Sequence, residues 1–91
     1  MWDKIVAYRV EDKSKSVQLS RALHGYIDRS NNGQYSYPRP GLLEKIPHLQ
    51  LLQGVLLIKK ENTPQLVQLL QKYQAEYYIA TLETAITQPP K

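Results

Sequence analysis

Arginine, tyrosine and histidine crowd into one stretch of this 91-residue chain. Residues 21–48 hold three of the four arginines, three of the seven tyrosines and both histidines. Guanidinium groups neutralise phosphates and stack on planar rings, and tyrosine offers a stacking face of its own. Side chains of this kind on a helix end and loop, carried by a rigid scaffold, are placed as binding residues usually are. The chemistry expected of Arg21, Arg29, Tyr35, Tyr37 and Arg39 is therefore phosphate contact and base stacking. Lys59 and Lys60 follow an apolar run and would extend the basic surface, and Asn31-Asn32-Gly33 reads as a turn able to point N–H groups towards phosphate oxygens.

The charge pattern points the same way. Residues 1–20 carry a net +1, residues 21–60 a net +4 and residues 61–91 a net −1. A local basic excess attracts polyanions with a strength that falls with salt. DNA or RNA is thus the expected partner, with a protein-interaction, assembly or regulatory module as the alternative.

Several chemistries lack their residues. With no cysteine and only His24 and His48, a tetrahedral zinc set cannot be completed. Neither glycine-rich phosphate loop occurs, nor a Gly-x-Ser-x-Gly nucleophile turn. No catalytic residue, metal ligand or cofactor is assigned. No apolar run approaches the roughly 20 residues of a bilayer span, and the first residues, Met1-Trp2-Asp3-Lys4, lack a signal-peptide pattern. A cytoplasmic protein without membrane contact is expected.

Asp28 is the one carboxylate inside the run Arg21–Arg39, and it is expected to organise a turn or pair with Arg21 or Arg29. The stretch Ala22-Leu23-His24-Gly25-Tyr26-Ile27-Asp28 also resembles the helix-terminating motif of LAGLIDADG homing endonucleases. That resemblance implies that Gly25 packs between helices and that Asp28 holds a divalent metal ion for DNA cleavage. A metal-dependent endonuclease-like domain is accordingly the lesser alternative.

The scaffold follows from periodicity. Lys4–Glu11 alternates, with Val6, Tyr8 and Val10 on one face, and reads as a strand. Leu19, Ala22, Leu23 and Tyr26 fall three or four apart, which predicts a helix over 16–26. Residues 34–37 read as a short weak strand, because Pro38 and Pro40 have no N–H to continue a ladder. One helical turn is predicted over 41–46. Val55–Ile58 is apolar at every position and reads as a strand buried on both faces. Thr63-Pro64 opens a second helix to about Gln74, with Gln65, Gln68, Gln71 and Lys72 outward, and Glu76–Glu83 is the last strand.

This order predicts one α+β domain over 1–86, a ferredoxin-like βαββαβ antiparallel sheet with two helices on one face, and a disordered tail over 87–91. Two helices cover one face of a sheet. A strand apolar on both faces then needs a second cover, supplied either by residues 28–53 folding back or by another copy of the chain. A homodimer is the expectation.

Overall fold

Alternation places the first strand as expected. In the computed structural model, which describes residues 2–30 and 33–83, β1 spans Lys4–Arg9 with Val6 fully buried. The first helix, α1, runs Lys13–His24, starting earlier than the apolar spacing indicates. Its start is set by Asp12, whose carboxylate accepts from the Lys15 N–H at 2.9 Å and satisfies one of the donors that every helix start leaves open. Its end is set by Gly25, whose backbone (φ 84°) no other residue type adopts without strain.

Beyond Gly25 the chain turns extended. Strand β2 (Tyr26–Ser30) pairs antiparallel with β3 (Tyr35–Arg39) in a two-stranded ribbon of its own. A 3₁₀ turn over Leu42–Glu44 follows, then β4 (His48–Leu52), β5 (Val55–Ile58), α2 (Thr63–Lys72) and β6 (Glu76–Thr81). The main sheet has the order β4-β5-β1-β6, antiparallel throughout.

This corrects the expected ferredoxin-like βαββαβ fold. Among the described residues six strands lie in two sheets, and two of them never enter the main one. The physical reason lies in two segments. Tyr26 continues the three-and-four spacing of the helix, yet Gly25 stops the helix before it. His48–Leu52 lacks a clear strand period, but it forms an edge strand that turns straight back into β5. Pro38 sits within β3 opposite Ile27, and both strands of the ribbon are edges, where proline is tolerated.

The core lies between the helices and one face of the main sheet. Val6, Leu56 and Ile58 meet Leu19 and Leu23 of α1 and Leu66 and Leu70 of α2. Leu43 and Ile46, from the segment around the 3₁₀ turn, close the same cluster. Among the described residues no polar side chain is buried, so burial of aliphatic area, worth about 25 cal/mol per Å², is the dominant stabilising term. No helix among the described residues is long and apolar enough to cross a membrane. The tail expected over 87–91 lies outside the described residues.

Candidate functional site

The ribbon is built so that its two faces differ. Residues directly opposite in an antiparallel pair share a face. Tyr26 opposes Arg39 and Asp28 opposes Tyr37, which puts Tyr26, Asp28, Tyr35, Tyr37 and Arg39 on one face. Ile27, Pro38, Arg29 and Ser36 occupy the other. Every described residue of β3 is exposed, and Tyr35 and Tyr37 are each about half accessible, at 50% and 49%.

The tyrosine rings lie in a ladder. Tyr35 and Tyr37 have centroids 6.4 Å apart and planes within 17° of parallel. At the ribbon's base the Arg21 guanidinium lies 5.3 Å over the Tyr26 ring, a cation–π contact that ties the last turn of α1 to β2. Between these, Arg39 donates from Nη2 and Nε to one oxygen of Asp28, at 3.1 and 3.2 Å. Both partners are solvent-accessible (57% and 38%), so the ion pair contributes at most about 1 kcal/mol and exchanges readily for another anion. The Asp28 partner is thus Arg39 across the ribbon, not Arg21 or Arg29.

Two glycines fix where the ribbon leaves the body. A Cβ on Gly41 would stand 2.3 Å from the Leu23 carbonyl oxygen and 2.4 Å from the Gly25 nitrogen. One on Gly25 would stand 2.6 Å from the Arg39 carbonyl oxygen. The two ends of the ribbon therefore cross with backbone against backbone, which only glycine permits.

Of the residues expected to form the site, Arg21, Tyr35, Tyr37 and Arg39 come together on or beside one face. Arg29 lies on the opposite face. Lys59 and Lys60 lie just beyond β5, Lys60 opening a short 3₁₀ turn to Asn62: the Lys59 ammonium lies 5.8 Å over the Trp2 ring, and the Lys60 N–H donates to the Asp3 carboxylate at 3.1 Å. Asn31 and Asn32, expected to supply the N–H groups of a phosphate-binding turn, lie outside the described residues. His48 is engaged elsewhere, its Nδ1 donating to the Ile46 carbonyl at 3.1 Å. Tyr26, which by spacing belongs to the apolar face of the helix, joins the ribbon instead; the glycine directly before it is the sequence signal for a strand.

The endonuclease resemblance finds a different arrangement here. Gly25 packs against Arg39 and Gly41 instead of a second helix, and Asp28 stands in a strand bonded to an arginine. Among the described residues no three His, Asp or Glu side chains gather where a metal ion would be held. A second polar cluster lies at the far end of the main sheet. Arg9 Nε donates to Glu76 at 2.8 Å, and the Tyr78 hydroxyl donates to the same carboxylate at 2.9 Å. The hydrogen bond from Arg9 holds the Glu76 carboxyl below its ordinary value, and the bond to Glu76 pushes the Tyr78 phenol up.

Compared with known proteins, the chain matches no family model, no curated protein and no solved structure.

Proposed function

We propose that this protein binds single-stranded nucleic acid along the tyrosine face of the β2–β3 ribbon. The observation that carries the reading is the juxtaposition on one exposed face of two near-parallel tyrosine rings with Arg39, and of Arg21 at its base. Exposed rings gain stacking energy only from bases that are themselves unstacked, which a single strand supplies and an intact duplex does not. Tyr35 and Tyr37 take bases; Arg21 and Arg39 take phosphates, with Arg39 exchanging its exposed partner Asp28 for the backbone.

The test is fluorescence anisotropy of labelled single- and double-stranded DNA and RNA oligonucleotides at two salt concentrations. The expected result is micromolar binding of single strands that weakens with salt and fails in a Tyr35→Ala, Tyr37→Ala double variant. Absence of binding to every strand at low salt would sink the proposal. Equal affinity for duplexes would keep nucleic acid as the ligand and remove base stacking as the means.

A further inference from the structure

We infer that a single strand held on the tyrosine face continues off the ribbon into a groove between α2 and the segment 40–45, where Lys45 and Lys72 take its phosphates. The inference rests on the nucleic-acid reading and extends that site beyond the ribbon.

The groove has a volume of about 380 Å³. Its floor is apolar, with half-buried Leu42 and Leu69 packed against the core. Its rim is Lys45, Gln65, Gln68 and Lys72, all exposed. Helical spacing supplies three of these. Gln65, Gln68 and Lys72 fall three and four apart on α2, so they stand along one stripe roughly 10 Å long. This is the glutamine face that periodicity turns outward and that the ribbon leaves unused.

Position ties the groove to the ribbon. Ala22 and Pro40 close its other side, and each directly follows one of the arginines assigned to phosphates, Arg21 and Arg39. The close approach of Gly41 to the Leu23 carbonyl and the Gly25 nitrogen sets these two segments against each other at the ribbon's base. A strand that leaves the Tyr35–Tyr37 ladder past these arginines meets the groove next.

Charge selects the occupant. No carboxylate lines the groove, and among the described residues neither Lys45 nor Lys72 has an ion pair. Glu44, next to Lys45 in sequence, turns its carboxylate towards Gly25 instead, with Oε1 3.4 Å from where a Cβ there would stand. The Lys72 ammonium lies 5.5 Å over the Tyr73 ring, which holds it in place without neutralising it. Lysine binds phosphate as a point charge. A basic groove that tracks the backbone, beside rings on which bases stack, is the pairing that single-strand binding uses. Gln65 and Gln68 each offer an amide donor and acceptor, and the base edges of an unpaired strand are free to meet them.

Fluorescence anisotropy of the full chain with labelled oligothymidylates of about 4 and about 12 nucleotides, over a range of salt concentrations, tests it. The longer oligomer is expected to show the steeper slope of log affinity against log salt. In a Lys45→Ala, Lys72→Ala double variant that slope should fall by about 1.4, roughly 0.7 for each phosphate left without its cation, while the slope for the shorter oligomer stays as it was. Both lysines are exposed, so the variant is expected to keep the wild-type circular-dichroism spectrum. A wild-type slope for the longer oligomer in the lysine variant, with binding still lost in the Tyr35→Ala, Tyr37→Ala variant, would overturn the groove and leave the ribbon standing. No binding of either oligomer to the wild-type chain at low salt would overturn both.

Discussion

The two sheets of this molecule are antiparallel alike, yet they are held by different forces. The main sheet is anchored by Val6, Leu56 and Ile58 against two helices, each of them fully buried. Among the described residues the ribbon contributes none to that core, and Ile27 and Arg29 on one face and Tyr35 and Tyr37 on the other are exposed. An isolated two-stranded hairpin is marginal in water. This one is steadied at its base, by the Gly25–Gly41 crossing and by Arg21 over Tyr26, and along its length by the Arg39–Asp28 pair. Elements that engage ligands are drawn from the low-stability end of a structure. The difference teaches that stability and proposed binding are divided between the sheets, so substitutions in one should leave the other's property nearly untouched.

The largest effect expected of that division lies in the core. Leu70→Ala, at a fully buried site, is expected to cost about 2–5 kcal/mol in urea denaturation. At a sub-denaturing temperature it should leave oligonucleotide affinity within a factor of about two. Loss of both together at the same modest temperature would mean that the ribbon depends on the core after all. Next comes the crossing. Gly41→Ala forces a methyl group against the Leu23 carbonyl and should cost about 1–3 kcal/mol. Amide hydrogen exchange is expected to accelerate first in β2 and β3; uniform acceleration would make Gly41 a core residue in effect.

In the ribbon itself the sign of the comparison reverses. Removing Tyr37 should change stability by less than about 0.5 kcal/mol, as surface substitutions usually do. It should weaken single-strand binding by about 1–3 kcal/mol, the worth of one stacked base. A destabilised protein with unaltered binding would exchange the roles assigned to the two sheets. Smaller still, alanine at Arg21 or Arg39 is expected to flatten the slope of log affinity against log salt by about 0.7 for each phosphate left without its cation. Lys60→Ala, away from the ribbon, should leave the slope alone, and a flattened slope there would widen the site to the end of β5.

The smallest effect concerns pH. Arg9 lowers the Glu76 pKa in the folded chain, so the pair favours folding above the ordinary carboxylate pKa. That contribution is lost as pH falls through the depressed folded value. Both groups are solvent-accessible, so the change in stability should be slight. Arg9→Ala should return the Glu76 titration, followed by NMR, towards the ordinary carboxylate value, and an unmoved titration would refute the assignment.

Much of this is legible in the chain. Alternation in Lys4–Arg9, the aliphatic run Val55–Ile58 and the spacing of Leu66 and Leu70 each report a local backbone period. Such signals survive wherever one face is buried. The clustering of Arg21, Tyr35, Tyr37 and Arg39 is visible for a simpler reason: composition needs no fold to be read. Of the ribbon, residues 34–37 can be read as a short strand, but β2 is hidden because none of its residues from Tyr26 to Arg29 is buried, so no hydrophobic period marks it. Tyr26 compounds this by falling where a longer helix would place an apolar residue. The edge strand His48–Leu52 escapes sequence reading because its bulge between Gln50 and Leu52 breaks the strict alternation that identifies a strand.

By itself the sequence determined which segments are apolar and with what period, that one aliphatic strand would need cover on both faces, and that cation and ring chemistry concentrate between Arg21 and Arg39. These are properties of neighbours along the chain. Only the tertiary structure decided that Arg39 meets Asp28, that Arg29 and Lys60 stand apart from the tyrosine face, and that Leu43 and Ile46 fill the helix side while Leu49 and Leu52 stay in water. Strand register and the crossing of two glycine backbones join residues distant in sequence. Such choices are settled by packing and pairing across the whole chain, which no local pattern records.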